Sequence, residues 1–217
     1  MSTVASVEIA ILLFPRLTAL DAVGPYEVLR SLPTGDLKFV AATPGPQRTD
    51  HGALALVADH GLDEVPAPDV IVVPGGPGEV GARKDPRVLD WLRRADATST
   101  WTTSVCTGSL VLGAAGLLRG KRATSHWTAL DELRRFGAEP SGERVVGDGK
   151  IVTAAGVSSG IDMALWLAAQ LADEETARSI QLAIEYDPRP PFDSGSTATA
   201  SADLVDRLRR GSRFFRE

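Results

Sequence analysis

The sequence has one cysteine, three histidines, few aromatic residues (6%) and no long apolar run. A lone cysteine excludes an internal disulfide, and with it the cross-linked framework on which small secreted proteins rely. His51, His60 and His126 are far apart, and no H-x-H or C-x-x-C spacing occurs, so no metal site is expected. No stretch approaches the ~18 apolar residues needed to span a bilayer. The opening MSTVASVEIAILLFPR has no basic leader and reads as a first strand, not a signal peptide. A net charge of −5 argues against a phosphate-backbone partner. These absences point to a cytoplasmic protein with no nucleic-acid and no membrane partner.

What remains is an ordinary globular composition, 43% hydrophobic and 24% charged, in 217 residues. Short apolar runs alternate with longer helical patterns. Val7–Phe14, Leu37–Thr43, Asp69–Val73 and Thr100–Val105 read as strands. The first and third are almost unbroken apolar runs, as in a parallel sheet covered on both faces. Pro25–Leu32 and Pro86–Ala97 read as helices opening on proline, and Thr107–Leu118 as a helix of small residues. Arg122–Ser125 looks like a short strand before a helix at Thr128–Phe136. Glu143–Val146 and Lys150–Ala154 flank Gly147-Asp148-Gly149 as a hairpin. Helices follow at Ile161–Ala172, with Ser159 and Asp162 spaced as a capping box, and at Glu174–Tyr186. The order implies an α/β, doubly wound, flavodoxin-like and mostly parallel sheet flanked by helices. It is read as a single domain, 1–217, with a Pro-rich loop at 187–201 and a C-terminal helical tail.

Three segments bear on chemistry. In Thr103-Ser104-Val105-Cys106-Thr107-Gly108-Ser109 an apolar strand ends on the cysteine and a helix begins at once. Such a turn thrusts a nucleophile into the open at the carboxyl end of the sheet, and the helix N-terminus lowers a thiol's pKa. A buried cysteine acting as a small hydrophobe is the plainer alternative. Gly76-Pro77-Gly78-Glu79-Val80-Gly81 has the spacing of a dinucleotide loop, but Pro77 lacks an amide hydrogen and no acidic residue closes the next strand. Pro74-Gly75-Gly76 reads better as a tight loop whose bare amides face the Cys106 pocket like an oxyanion hole. Asp21 is either a helix cap or a carboxyl facing the thiol. His51 and His60 are placed in surface loops. His126 follows a strand, and is either a base for Cys106 or a structural histidine.

The cysteine elbow, Pro74-Gly75-Gly76 and Arg122-Ala123-Thr124-Ser125-His126-Trp127 together resemble the ThiJ/PfpI (DJ-1-like) superfamily from about Val7 to Ala172. Leu12-Leu13-Phe14-Pro15, Leu20-Asp21, Gly24-Pro25, Gly160-Ile161-Asp162 and the Gln181–Tyr186 and Pro190–Ser196 segments are similar to its isocyanide hydratase branch. The resemblance implies Cys106 as nucleophile, Asp21 as acid/base and Thr107 as the threonine beside the cysteine. It implies a backbone pocket from Gly75, Gly76 and Thr107, an isocyanide substrate, a homodimer and no cofactor. Peptidase-like members place histidine directly after the cysteine, where this chain has Thr107. His126 matches a histidine also found in noncatalytic relatives.

The rival functions are a cofactor-free glyoxalase or deglycase, and a redox- or ligand-sensing domain similar to the N-terminal part of AraC-type regulators. The first typically uses glutamate where this chain has Asp21. The second needs a helix-turn-helix module, and only about 25 residues follow Phe192. Phe192 and Trp127 are candidates for the pocket wall. Arg207, Arg209, Arg210, Arg213 and Arg216 read as a solvated helix face near a dimer interface.

Overall fold

The structure, a computed structural model, describes residues 6–215. The elements run β1 (Val7–Leu12), α1 (Ala19–Leu29), β2 (Gly35–Ala41), β3 (Gly45–Arg48), β4 (Ala55–Ala58), β5 (His60–Gly61), β6 (Val70–Val73), α2 (Glu79–Ala82) and α3 (Pro86–Thr98). They continue with β7 (Trp101–Val105), α4 (Gly108–Ala114), β8 (Arg122–Ala123), a 3-10 segment (Trp127–Phe136), β9 (Glu139–Pro140), β10 (Val145–Asp148), β11 (Ile151–Ala154), α5 (Ser159–Leu171), α6 (Glu174–Ala183) and α7 (Ala202–Gly211).

Seven strands form one sheet in the order β10-β11-β7-β6-β1-β2-β5. Every ladder in it is parallel except β10 against β11. Ile9–Leu12 and Val70–Val73 are wholly buried, which is why both segments are continuous apolar runs. Parallel pairing brings the carboxyl ends of β1, β6 and β7 to the same edge. The loops after these strands carry the residues singled out above, in the crevice where open α/β sheets hold their ligands.

Several expectations are corrected. α1 opens at Ala19, so Pro25 lies inside the helix and Asp21 in its first turn. Proline removes a hydrogen bond there, yet one face of α1, including Ala22, Pro25, Val28 and Leu29, is buried, and the helix packs on α5. Tertiary packing overrides the local signal. His60 belongs to β5 at the sheet edge, paired beside Val40, whereas His51 lies in an exposed loop as expected. The β3–β4 hairpin falls where no strand is read from the sequence, since Gly45 and Pro46 disguise its first strand. The later hairpin turns at Gly149-Lys150, with Asp148 opposite Ile151, one residue beyond the expected turn. β8 stops at Ala123. The helix expected at Thr128–Phe136 is a 3-10 segment. No capping box forms before α5: its N-cap is Ser158, and Asp162 instead pairs with Arg144 and the Tyr186 hydroxyl. Met1–Ala5 and Arg216 lie outside the described residues.

Candidate active site

Cys106 stands between β7 and α4 with φ 59, a left-handed backbone that non-glycine residues seldom adopt. The surroundings over-determine this conformation. The Cys106 amide donates to the carbonyls of Ala154 and Ala155, each at 3.0 Å, and its carbonyl accepts from the Ser109 and Ser125 hydroxyls at 3.1 Å. Gly108 is required behind the elbow, because a Cβ there would lie 2.1 Å from the Val73 carbonyl oxygen. A strained strand-to-helix turn of this kind marks a candidate functional site.

The side chain is not in the open, as an elbow suggests, but only 5% exposed. Nor is the thiol acidified. Burial raises its pKa well above the ordinary range, and the negative charge of Asp21 raises it further, against a smaller pull from the Thr107 amide. The helix dipole is outweighed.

Asp21 is completely buried. Its Oδ2 accepts from the Gly75 amide at 2.9 Å, while Oδ1 has no hydrogen-bond partner among the described residues. Burial raises this carboxyl from 3.8 to about 7; the Gly75 amide and the Cys106 thiol pull it down, and Asp50 adds a smaller push upward. Asp21 is therefore no helix cap. Asp50 reaches the site from the β3–β4 connection, where its carboxylate accepts from the Thr18 hydroxyl at 2.8 Å. Sequence reasoning missed Asp50, Ser109 and Ser125 as supports, although Ser109 and Ser125 stand inside the motifs quoted above.

The loop after β6 closes the site. Its amides are not bare: Gly75 donates to Asp21, and Gly76 donates to the Thr107 hydroxyl at 2.9 Å. Gly75, Gly76, Thr107, Asp21 and Cys106 thus form one connected cluster. His126 stays outside it. Its Nδ1 lies 2.7 Å from the Thr128 hydroxyl and accepts from the Thr128 amide, capping the 3-10 segment, and burial lowers its pKa. Trp127 packs with α7 and the Ser194–Thr197 loop, and Phe192 is 79% exposed. A cavity of about 540 Å³ lies on the other side of the loop, lined by residues such as Phe14, Arg16, Pro77 and Arg87, without Cys106 or Asp21. No group of residues able to hold a metal ion occurs among the described residues.

The fold and this cluster define a class: a doubly wound α/β protein built around a buried cysteine at a strand-to-helix elbow, with a carboxyl beside it. Its family model, DJ-1/PfpI, matches residues 7–170, and the chain belongs to that family. The isonitrile hydratase of Pseudomonas putida is 47% identical over 205 residues, 94% of this chain and 90% of that protein. A crystal structure of a ThiJ/PfpI family protein from Pseudomonas syringae superposes with a TM-score of 0.92 at 40% identity, covering 95% of this chain and 86% of that one. An HTH-type transcriptional regulator of Pseudomonas aeruginosa is 33% identical over 67% of this chain, but only 42% of that protein is matched.

Proposed function

We propose that this protein hydrates isocyanides to N-formamides. The observation that carries the reading is the buried pair of Cys106 and Asp21, each shifting the other's titration, in a chain nearly half identical over its length to an isonitrile hydratase. Two coupled groups lose their protons in two steps that belong to the pair. Between those steps one proton is shared, and one tautomer is a thiolate beside a protonated aspartic acid. That tautomer holds both a nucleophile and an acid.

The terminal carbon of an isocyanide must gain a bond and a proton. The Cys106 sulfur attacks this carbon while Asp21 delivers its proton there, giving a thioimidate and an ionised Asp21. Asp21 then takes a proton from water as the oxygen adds to the same carbon, and that proton passes to the nitrogen. Collapse breaks the carbon–sulfur bond, and the hydroxyl proton returns to the pair as the N-formamide leaves. One carboxyl serves as acid and then as base. The unpartnered Oδ1 of Asp21 supports that role, and the Thr107 amide beside the sulfur supports a part in holding the adduct.

The glyoxalase and sensor readings are weaker. The likeness to the regulator covers less than half of that protein, and a buried thiol of raised pKa is a poor redox sensor. We further propose a cytoplasmic homodimer that acts as one domain over 1–217; no helix among the described residues is long and apolar enough to cross a membrane. Leu20, Leu54 and Val57 are 41%, 48% and 49% exposed, and the hairpin bearing two of them is tied to the site through Asp50.

The test is formamide production from an aryl isocyanide by wild type, Cys106→Ala and Asp21→Asn. Wild type should turn over, Cys106→Ala should be inactive, and Asp21→Asn should lose about 10²- to 10⁴-fold, as loss of a general acid–base group does. A wild-type enzyme that makes no formamide sinks the reading.

A further inference from the structure

The G-x-G-x-x-G segment serves the fold in another way. Gly78 packs so tightly that a Cβ on it would lie 1.9 Å from the Pro15 carbonyl oxygen, and its amide donates to the Arg16 carbonyl at 3.0 Å. Glu79 follows, wholly buried. A buried carboxylate must be partnered or give up its charge. Burial does raise its pKa, but two arginines oppose that effect. Arg83 Nε lies 3.1 Å from Oε2, and Arg213 Nη2 lies 2.6 Å from Oε1. Arg213 comes from the C-terminal tail, outside residues 7–170 matched by the family model. Its other arm, Nη1, donates to the Pro77 carbonyl at 3.0 Å. Its side chain remains 36% exposed, yet both arms of the guanidinium are engaged.

Those two contacts grip the chain just after the loop of the active site. The Glu79 amide donates to the Gly76 carbonyl at 3.1 Å. The Gly76 amide reaches the Thr107 hydroxyl, and the neighbouring Gly75 amide reaches Asp21, each at 2.9 Å. We infer that Arg213 is a positioning residue: by gripping Pro77 and Glu79, the C-terminal tail fixes where the Gly75 and Gly76 amides sit against Asp21 and Thr107. The inference rests on the hydratase reading for its kinetic consequence only. Loosening the loop weakens the hydrogen bond from the Gly75 amide that holds the Asp21 pKa down, so that group should titrate at higher pH.

The experiment uses full-length Arg213→Met, Arg213→Lys and the double variant Glu79→Gln/Arg213→Met. The double variant removes the buried charge together with its partner, so it separates positioning from the cost of an unpaired carboxylate. The readouts are turnover of an aryl isocyanide, thermal stability, and the pH profile of Cys106 alkylation by iodoacetamide followed by intact mass. In both Met variants, kcat should fall about tenfold with KM changed less than about twofold. The small first step of the alkylation profile, where the pair loses its first proton near 7, should move alkaline by about half a unit, with the main step far above it at the raised thiol pKa. Arg213→Lys should recover part of the loss, since a lysine ammonium lacks the planar fork that reaches both acceptors. Met variants with wild-type kcat and an unmoved alkylation profile overturn the inference. So does loss of fold in both, which would make Arg213 a folding residue instead. If wild type does not hydrate isocyanides, the hydratase reading fails, but the alkylation profile still decides the role of Arg213.

Discussion

Burial of Asp21 couples its protonation to folding as well as to chemistry. Its carboxyl titrates near 7 in the folded protein, against 3.8 for an unperturbed aspartate. The folded state thus holds this proton more tightly than the unfolded chain does. The resulting stability is complete below the unfolded value and is lost as pH rises through the folded one. The full effect is on the order of 4 kcal/mol. Asparagine at this position keeps an acceptor for the Gly75 amide and carries no charge. Asp21→Asn should therefore be more stable than wild type by urea denaturation at about pH 8, with the gain gone at about pH 4. Equal stabilities at both pH values would contradict the burial argument. For turnover, the single-proton state of the pair is reached as pH rises through about 7, so kcat/KM should climb across that value. A flat profile there would remove Asp21 from the reaction.

At the scale of elements, the elbow depends on a contact between backbones. Gly108 sits where any Cβ would meet the Val73 and Pro74 carbonyl oxygens, at 2.1 and 2.7 Å. Gly108→Ala should cost about 3 kcal/mol or more, or displace α4 from β6. Chemical denaturation and the rate of Cys106 alkylation read these two outcomes, and a stable variant with unchanged thiol reactivity would refute the contact. The same element shows what a sequence makes legible. The run Trp101–Val105, leading to Cys106 and then to Gly108 and Ser109, announces a strand, a turn and a helix, because burial and close packing leave few residue choices. The side chain's enclosure is not announced, since it depends on α1 and the β6 loop meeting over it. Asp21 illustrates the same limit: Pro25 marks a helix start by local rules, and only packing against α5 explains why the helix runs through it. Arg213 lies more than a hundred residues from Glu79, and no local pattern links the two.

For the whole molecule, the hairpin of β3 and β4 stands apart from the main sheet as a two-stranded sheet of its own. It exposes Leu54 and Val57 and touches the Thr18 loop through Asp50. A dimer formed on this face would set the environment of Asp50, and through it that of Asp21. Sedimentation should return a dimer for wild type and a monomer for Leu54→Asp/Val57→Asp. A wild-type monomer at micromolar concentration would sink the proposed homodimer.

The chain's single thiol is also its proposed nucleophile, so the number of labelled sulfurs equals the number of labelled sites. Charged reagents should be slow to reach a thiol this buried, while small neutral electrophiles reach it and stay bound. A preparation can thus be titrated for working sites by mass alone, without a substrate and without knowing which isocyanide the protein meets in its cell.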